Sequence, residues 1–136
     1  MHDKAQVEGT AEMLREMVRH EDDLRNHRIT WLCQLQGFLF ASLGFAWGKS
    51  QRLTTILAVS GLTIGFLVLI ALLSGTAAHL RIHKWWRQTR PGDYKGPDVF
   101  GLYALEGTPP SIIYFAAENW IPLVMMIGWI LVLYAA

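Results

Sequence analysis

Apolar residues in this chain gather into three long runs separated by polar segments, and the runs predict helices. The first, Ile29 to Trp47, is about 19 residues without a charge, or about 28 Å of helix, enough to cross a hydrocarbon core. The second, Leu53 to Leu80, runs for about 28 residues and meets its first ionisable group at His79. That exceeds what a bilayer needs, so tilt or projection into water is expected. The third, Ile112 to Ala136, contains Glu118, Asn119 and Pro122, and its wholly apolar part from Trp120 is only about 17 residues. A start at Ile112 buries Glu118 and Asn119 in lipid. A start at Trp120 makes that indole an interfacial anchor, with Pro122 in the first turn. No segment alternates as barrel strands do. The pattern predicts an all-α integral membrane protein with three transmembrane helices, at 29–47, 53–80 and 112–136, and a loop over 81–111.

Residues 1–28 follow a different pattern. Val7, Ala11, Leu14 and Val18 recur at helical spacing, with Met13 and Met17 beside them and no proline anywhere in the segment. This predicts an amphipathic helix, and nothing between Arg28 and Trp31 separates it from the first run. Glu21 and Arg25 are a favourably oriented pair on it. Two readings of the apolar stripe stand side by side: packing on the loop or the lipid surface, and self-association between protomers.

Composition sharpens the picture. Hydrophobic residues reach 52% and charged residues only 17%, against about 25% charged in an ordinary soluble domain, which excludes a soluble enzyme and a disordered chain. The single cysteine, Cys33, excludes a disulfide scaffold and a zinc pattern. Cations cluster on two flanks: Arg15, Arg19, Arg25 and Arg28 before the first run, and Arg81, Lys84, Arg87, Arg90 and Lys95 after the second. The connection between those runs has only Lys49 and Arg52. The positive-inside rule then puts the N-terminus and the 81–111 loop in the cytoplasm and the C-terminus outside. No signal peptide is expected, since a polar and partly acidic segment precedes the first run.

Candidate interaction residues fall into four groups. Gln34, Gly37, Ala41, Gly44 and Gly48 form a small-residue face on the first span, where close backbone approach substitutes for hydrophobic drive and Gln34 adds an interhelical hydrogen bond. Gly61 and Gly65 form a similar pair on the second, with Ala71 and Gly75 repeating the spacing. These faces serve either packing within one protomer or an oligomer. Arg81, Lys84, Trp85, Trp86 and Arg87 interleave cations with aromatics beside a span, which suits anionic lipid headgroups better than nucleic acid. His20, Glu21, Asn26 and Arg28, with Trp31 next to them, are the polar cluster at the mouth of the first span.

Chemistry of its own is not expected. Arg15 and His20 match a spacing used by some helical ribonucleases, but the chain has no soluble bundle left to hold a substrate. His79 and His83 share a helical face without a carboxylate partner, so neither a metal nor a cofactor is expected. Pro91-Gly92-Asp93 and Gly96-Pro97-Asp98 read as turns, Val99 to Leu105 as a short interfacial run, and Gly107 to Ser111 as the opening of the third helix.

The stretch Leu14-Arg15-Glu16 to His20-Glu21-Asp22, with Asn26-His27-Arg28, Trp31 and Gln36 to Ala41, resembles small bacterial membrane proteins in which a cytoplasmic amphipathic helix leads into the first span. Some proteins of that build look like accessory or effector components of antiphage systems. The resemblance implies a bacterial inner-membrane protein. The expected function is a homo-oligomeric small channel or membrane-perturbing effector with a cytoplasmic regulatory face. The alternative is a non-catalytic anchor or scaffold that recruits a soluble cytoplasmic partner.

Overall fold

The computed structural model describes residues 4–92, 94–97, 99 and 117–135. Three helices account for nearly all of them: α1 (Lys4–Ala46), α2 (Gln51–Thr89) and α3 (Ala117–Ala135). The run Val99–Leu105, the segment Gly107–Ser111 and the possible third-helix start at Ile112 fall almost wholly outside the described residues, as do Asp93 and Asp98.

α1 is one unbroken rod of 43 residues, about 64 Å long, because no glycine pair or proline separates its polar and apolar halves. It stops at Ala46 and turns through Gly48, whose φ of 71° is the left-handed conformation that glycine adopts without a Cβ penalty. Gly48 therefore serves the turn and does not extend the small-residue face of the helix. Ser50 then caps α2, its hydroxyl accepting from the Leu53 N–H at 3.3 Å.

α2 continues to Thr89, so residues 81–89 are helix and not loop as expected. Nothing between Leu80 and Arg90 breaks the pattern. Pro91 does, by forcing Arg90 into extended backbone (φ −62°, ψ 136°). In α3, Pro122 lies one turn deeper than expected from a start at Trp120, leaving the Glu118 carbonyl without its usual helical donor.

Side-chain pairs set the register. Gln36 meets Gly61, Arg25 meets Thr76, and Leu14 shares a cluster with Trp86, so residue n of α1 lies level with about residue 100 − n of α2. Trp129 meets Gly61 and Met126 meets Gly65, which sets α3 antiparallel to α2 and parallel to α1. The last third of the second apolar run thus stands opposite the polar segment His20–Arg28. Its extra length projects alongside the N-terminal half of α1.

There the two helices make a polar arm with its own small core. Ala11, Leu14, Trp86 and Val99 are buried together, with Val7, Val18, Ile82 and Tyr94 packed around them. Tyr94 meets the Trp86 ring edge-on at 5.4 Å. Within one protomer the N-terminal stripe is therefore covered by the end of α2 and the adjoining loop.

The other end is apolar and open. α1 and α2 are long and apolar enough to cross a membrane, while the apolar stretch of α3, Asn119–Ala135, is shorter. Only 17% and 22% of the apolar windows of α1 and α2 are buried, unlike a core helix of a soluble protein. Phe38 and Phe45 are 73% and 77% exposed, and Leu67, Val124 and Leu131 are also exposed. Such a continuous apolar surface belongs in lipid or against other apolar protein.

Trp86→Ala should open the arm, at a cost of about 3–5 kcal/mol for deleting a buried indole. Hydrogen exchange at the α1 amides around Ala11 and Leu14 should accelerate, while amides around Gln36 stay protected. Unchanged protection at Ala11 would show that the indole does not hold the arm together.

Candidate functional site

Three polar contacts at different heights hold the described residues together. The deepest sits among apolar residues. Gln36, fully buried, donates from Nε2 to the Gly61 carbonyl at 2.8 Å, and its Oε1 accepts from Trp129 Nε1 at 2.6 Å. One amide thus joins all three helices. The geometry needs Gly61, because a Cβ there would overlap the Trp129 indole. It also needs Gly65, where a Cβ would lie 2.8 Å from Met126 Cγ. Phe40 stacks on Trp129 with centroids 4.2 Å apart and planes within 7°.

The second contact is a collar where the polar half of α1 begins. Arg25, only 9% exposed, donates from Nη2 to Thr76 Oγ1 at 3.2 Å, and Thr76 donates to the Leu72 carbonyl at 3.0 Å. Arg28 and Glu21 sit over Gly75, where a Cβ would stand 3.6 Å from Arg28 Nη1 and 3.8 Å from Glu21 Oε2. His79 is buried one turn beyond Thr76, and Asn119 is buried at the start of α3. Of the polar cluster expected here, Glu21 and Arg28 face α2, whereas His20 and Asn26 are exposed.

The third contact pins the segment after α2. Arg15 Nη2 donates to Glu8 Oε1 at 2.9 Å and to the Tyr94 hydroxyl at 3.0 Å, and that hydroxyl donates to the Pro97 carbonyl at 3.3 Å. The Arg15 pKa is raised, first by the hydrogen bond to Glu8, with desolvation acting the other way and Tyr94 adding to the rise. Arg15 and His20 project about 140° apart on a continuous helix, so they do not converge on one substrate.

The other residues singled out from sequence divide by face. Gly61 and Gly65 pack within the protomer. Gln34, Gly37, Ala41 and Gly44 are exposed on α1, and a Cβ at Gly37 or Gly44 meets nothing within 4 Å. The interhelical amide is Gln36, not Gln34, because the packing face of α1 lies well round the helix from that seam. Arg81, Lys84, Trp85 and Arg87 are exposed, but Trp86 is only 3% exposed and is held inside the arm. Thr76 and Trp129 went unnoticed in the sequence, and Arg25 and Gln36 were named there without these contacts. Their signal was present as isolated polar or amphipathic side chains at helical spacing with the buried positions. Among the described residues, no group of three His, Cys, Asp or Glu side chains is placed to hold a metal.

No family model matches the chain, and neither does any curated protein or solved structure.

Gln36→Leu strands the Trp129 N–H and the Gly61 contact in apolar surroundings. It should destabilise the helix assembly by about 1–3 kcal/mol, the penalty for leaving a buried donor unsatisfied. Trp129→Phe should cost a similar polar increment, and the double variant should cost less than the sum of the two. Reversible unfolding in detergent measures the cycle; strict additivity would mean that the two side chains do not interact.

Proposed function

We propose that this chain is a three-span bacterial inner-membrane protein, N-terminus inside and C-terminus outside, working as a homo-oligomeric small channel or membrane-perturbing effector. The polar arm is its cytoplasmic regulatory element. The observation that carries this reading is continuity: α1 and α2 run without a break from the arm into the apolar region. A displacement of the arm is therefore passed to the spans through rigid helix, and the collar and the Gln36 contact couple α1 to α2 along the way. In an antiphage system, the role the resemblance implies, a trigger would act on the arm.

The exposed aromatics support three spans. Trp31 and Trp120 lie at nearly one level, and Trp47 and Tyr134 at another, all exposed. The two levels are separated by about 24 Å of α1 and about 21 Å of α3, and the rings extend the belt at each end. Arg28 lies just beyond the first level, and Lys49 and Arg52 just beyond the second. On this placement Lys84 stands about 20 Å past the belt, well over a Debye length of about 8 Å. The basic run therefore faces the cytoplasm and not the headgroups.

A second reading, a non-catalytic scaffold whose arm recruits a soluble partner, is favoured by one observation. Between the belts, the described residues include no Asp, Glu, Lys, Arg or His. An ion path would thus run between protomers, without a charged side chain of the described residues to line it. Induced expression discriminates the two: a channel should collapse the membrane potential reported by a voltage-sensitive dye, and a scaffold should leave it intact.

The topology has its own test. In a Cys33→Ser background, a cysteine replacing Asp93 should react with an impermeant maleimide only from the cytoplasmic side, and a reporter fused after Ala136 should read external. A cytoplasmic reporter would mean that α3 does not span. Gly44→Leu meets open space within the protomer, so folded yield should be unchanged while the oligomer dissociates. An intact oligomer at normal yield would remove this seam from assembly.

A further inference from the structure

The exposed faces of α1 and α2 differ in charge in the arm and in size between the belts. On α1, Glu8, Glu12, Glu16 and Asp23 recur on a stripe roughly 130° from the buried face, and the same stripe continues downward as Gln34, Gly37, Ala41 and Gly44. It is acidic in the arm and small between the belts. On α2, the stripe roughly 150° from its buried face carries Arg81, Lys84 and Gln88 in the arm, and Ile56, Val59 and Thr63 between the belts. It is basic above and mostly bulky below. All these side chains are exposed, and α2 has no acidic residue between Arg81 and Arg90. Glu8 is paired with Arg15, whereas Glu12, Glu16, Arg81 and Lys84 make no ion pair among the described residues.

We infer that the α1 face of one protomer docks on the α2 face of a second copy of this chain, head to tail, closing a ring around an axis along the membrane normal. The inference deepens the homo-oligomer reading and rests on it. Such a ring keeps every protomer at one height, so the register that pairs α1 with α2 inside a protomer also applies across the interface. Glu16 then meets Lys84, Glu12 meets Gln88 with Arg87 on its flank, Ala41 meets Val59, and Gly44 meets Ile56. Glu16 and Lys84 face each other with opposite charge in the arm, and bulky side chains fill the gaps over small ones in the membrane. Arg19 lies level with Arg81, but Glu16 and Asp23 flank it on its own stripe and offset that like charge. A head-to-tail contact uses two different surfaces per protomer, which is the condition for a closed ring larger than two. A second copy is the occupant because its own α2 supplies both the matching charge and the matching height.

Mixed cross-linking tests this in native membranes. Cells co-express two Cys33→Ser protomers, one with Glu16→Cys and the other with Lys84→Cys. Oxidation should yield covalent dimers from the mixture, none from either variant alone, and a ladder from a chain carrying both changes. Dimers from Glu16→Cys alone, or none from the mixture, overturn the arrangement. A detergent-solubilised mass equal to one chain would overturn the homo-oligomer reading as well. An oligomeric mass without the mixed dimer overturns this interface only. Charge exchange in the Cys33→Ser chain, read by detergent-solubilised mass, provides the second arm of the test: Glu12→Lys with Glu16→Lys should dissociate the oligomer, and adding Arg81→Glu with Lys84→Glu should restore it. An undiminished oligomeric mass after the first pair of changes would also overturn the proposal.

Discussion

The amide of Gln36 is the interaction on which the apolar part of the structure depends. In an apolar surrounding an unpaired amide costs several kcal/mol by transfer to hydrocarbon, so Gln36 is tolerated only where both its ends are matched. The Gly61 carbonyl matches one end and the Trp129 indole the other. Because those partners lie on different helices, satisfying one side chain determines the relative height of all three. The glycines at 61 and 65 follow from it, since the indole and Met126 occupy the space their side chains would need.

From that point outward, the register explains features that otherwise look excessive. The second apolar run is longer than a bilayer because its end is matched to the polar half of α1 and not to lipid. Thr76 and Gly75 lie where Arg25, Arg28 and Glu21 need a small or hydroxylated partner. Beyond the collar, Trp86 supplies most of the bulk of a core too small to hold the arm by itself, and Arg15 and Tyr94 close its end. The arm and the spans are consequently one mechanical unit, which is what makes a regulatory arm a physically sensible proposal.

α1 has two working faces with different rules. The inner face mixes apolar residues with a few satisfied polar ones, as a packed interior must. The outer face changes character along its length, from carboxylates to glycine and alanine, with the change falling near the aromatic level at Trp31. Large apolar side chains such as Phe38 and Phe45 serve lipid contact well and stand beside the seam, not on it.

Hydrophobic run length and the lack of helix breakers by themselves determined that the described residues are largely helical, that the first helix ends near Trp47, and that two segments suit a membrane. Those are local properties, written in one stretch of residues at a time. Which glycines pack inside the protomer was not legible, because Gly37 and Gly61 have the same local signature and differ only in what stands opposite. The same holds for the amide: Gln34 and Gln36 are equivalent in a list of residues, and a rotation of about 200° between them decides which one meets α2. Trp86 read as an interfacial anchor because neighbouring cations suggested headgroups, and only the continuation of α2 beside α1 turned it inward. Tertiary structure decided these assignments, since each depends on height and facing relative to another helix, and no periodicity within a single helix encodes either.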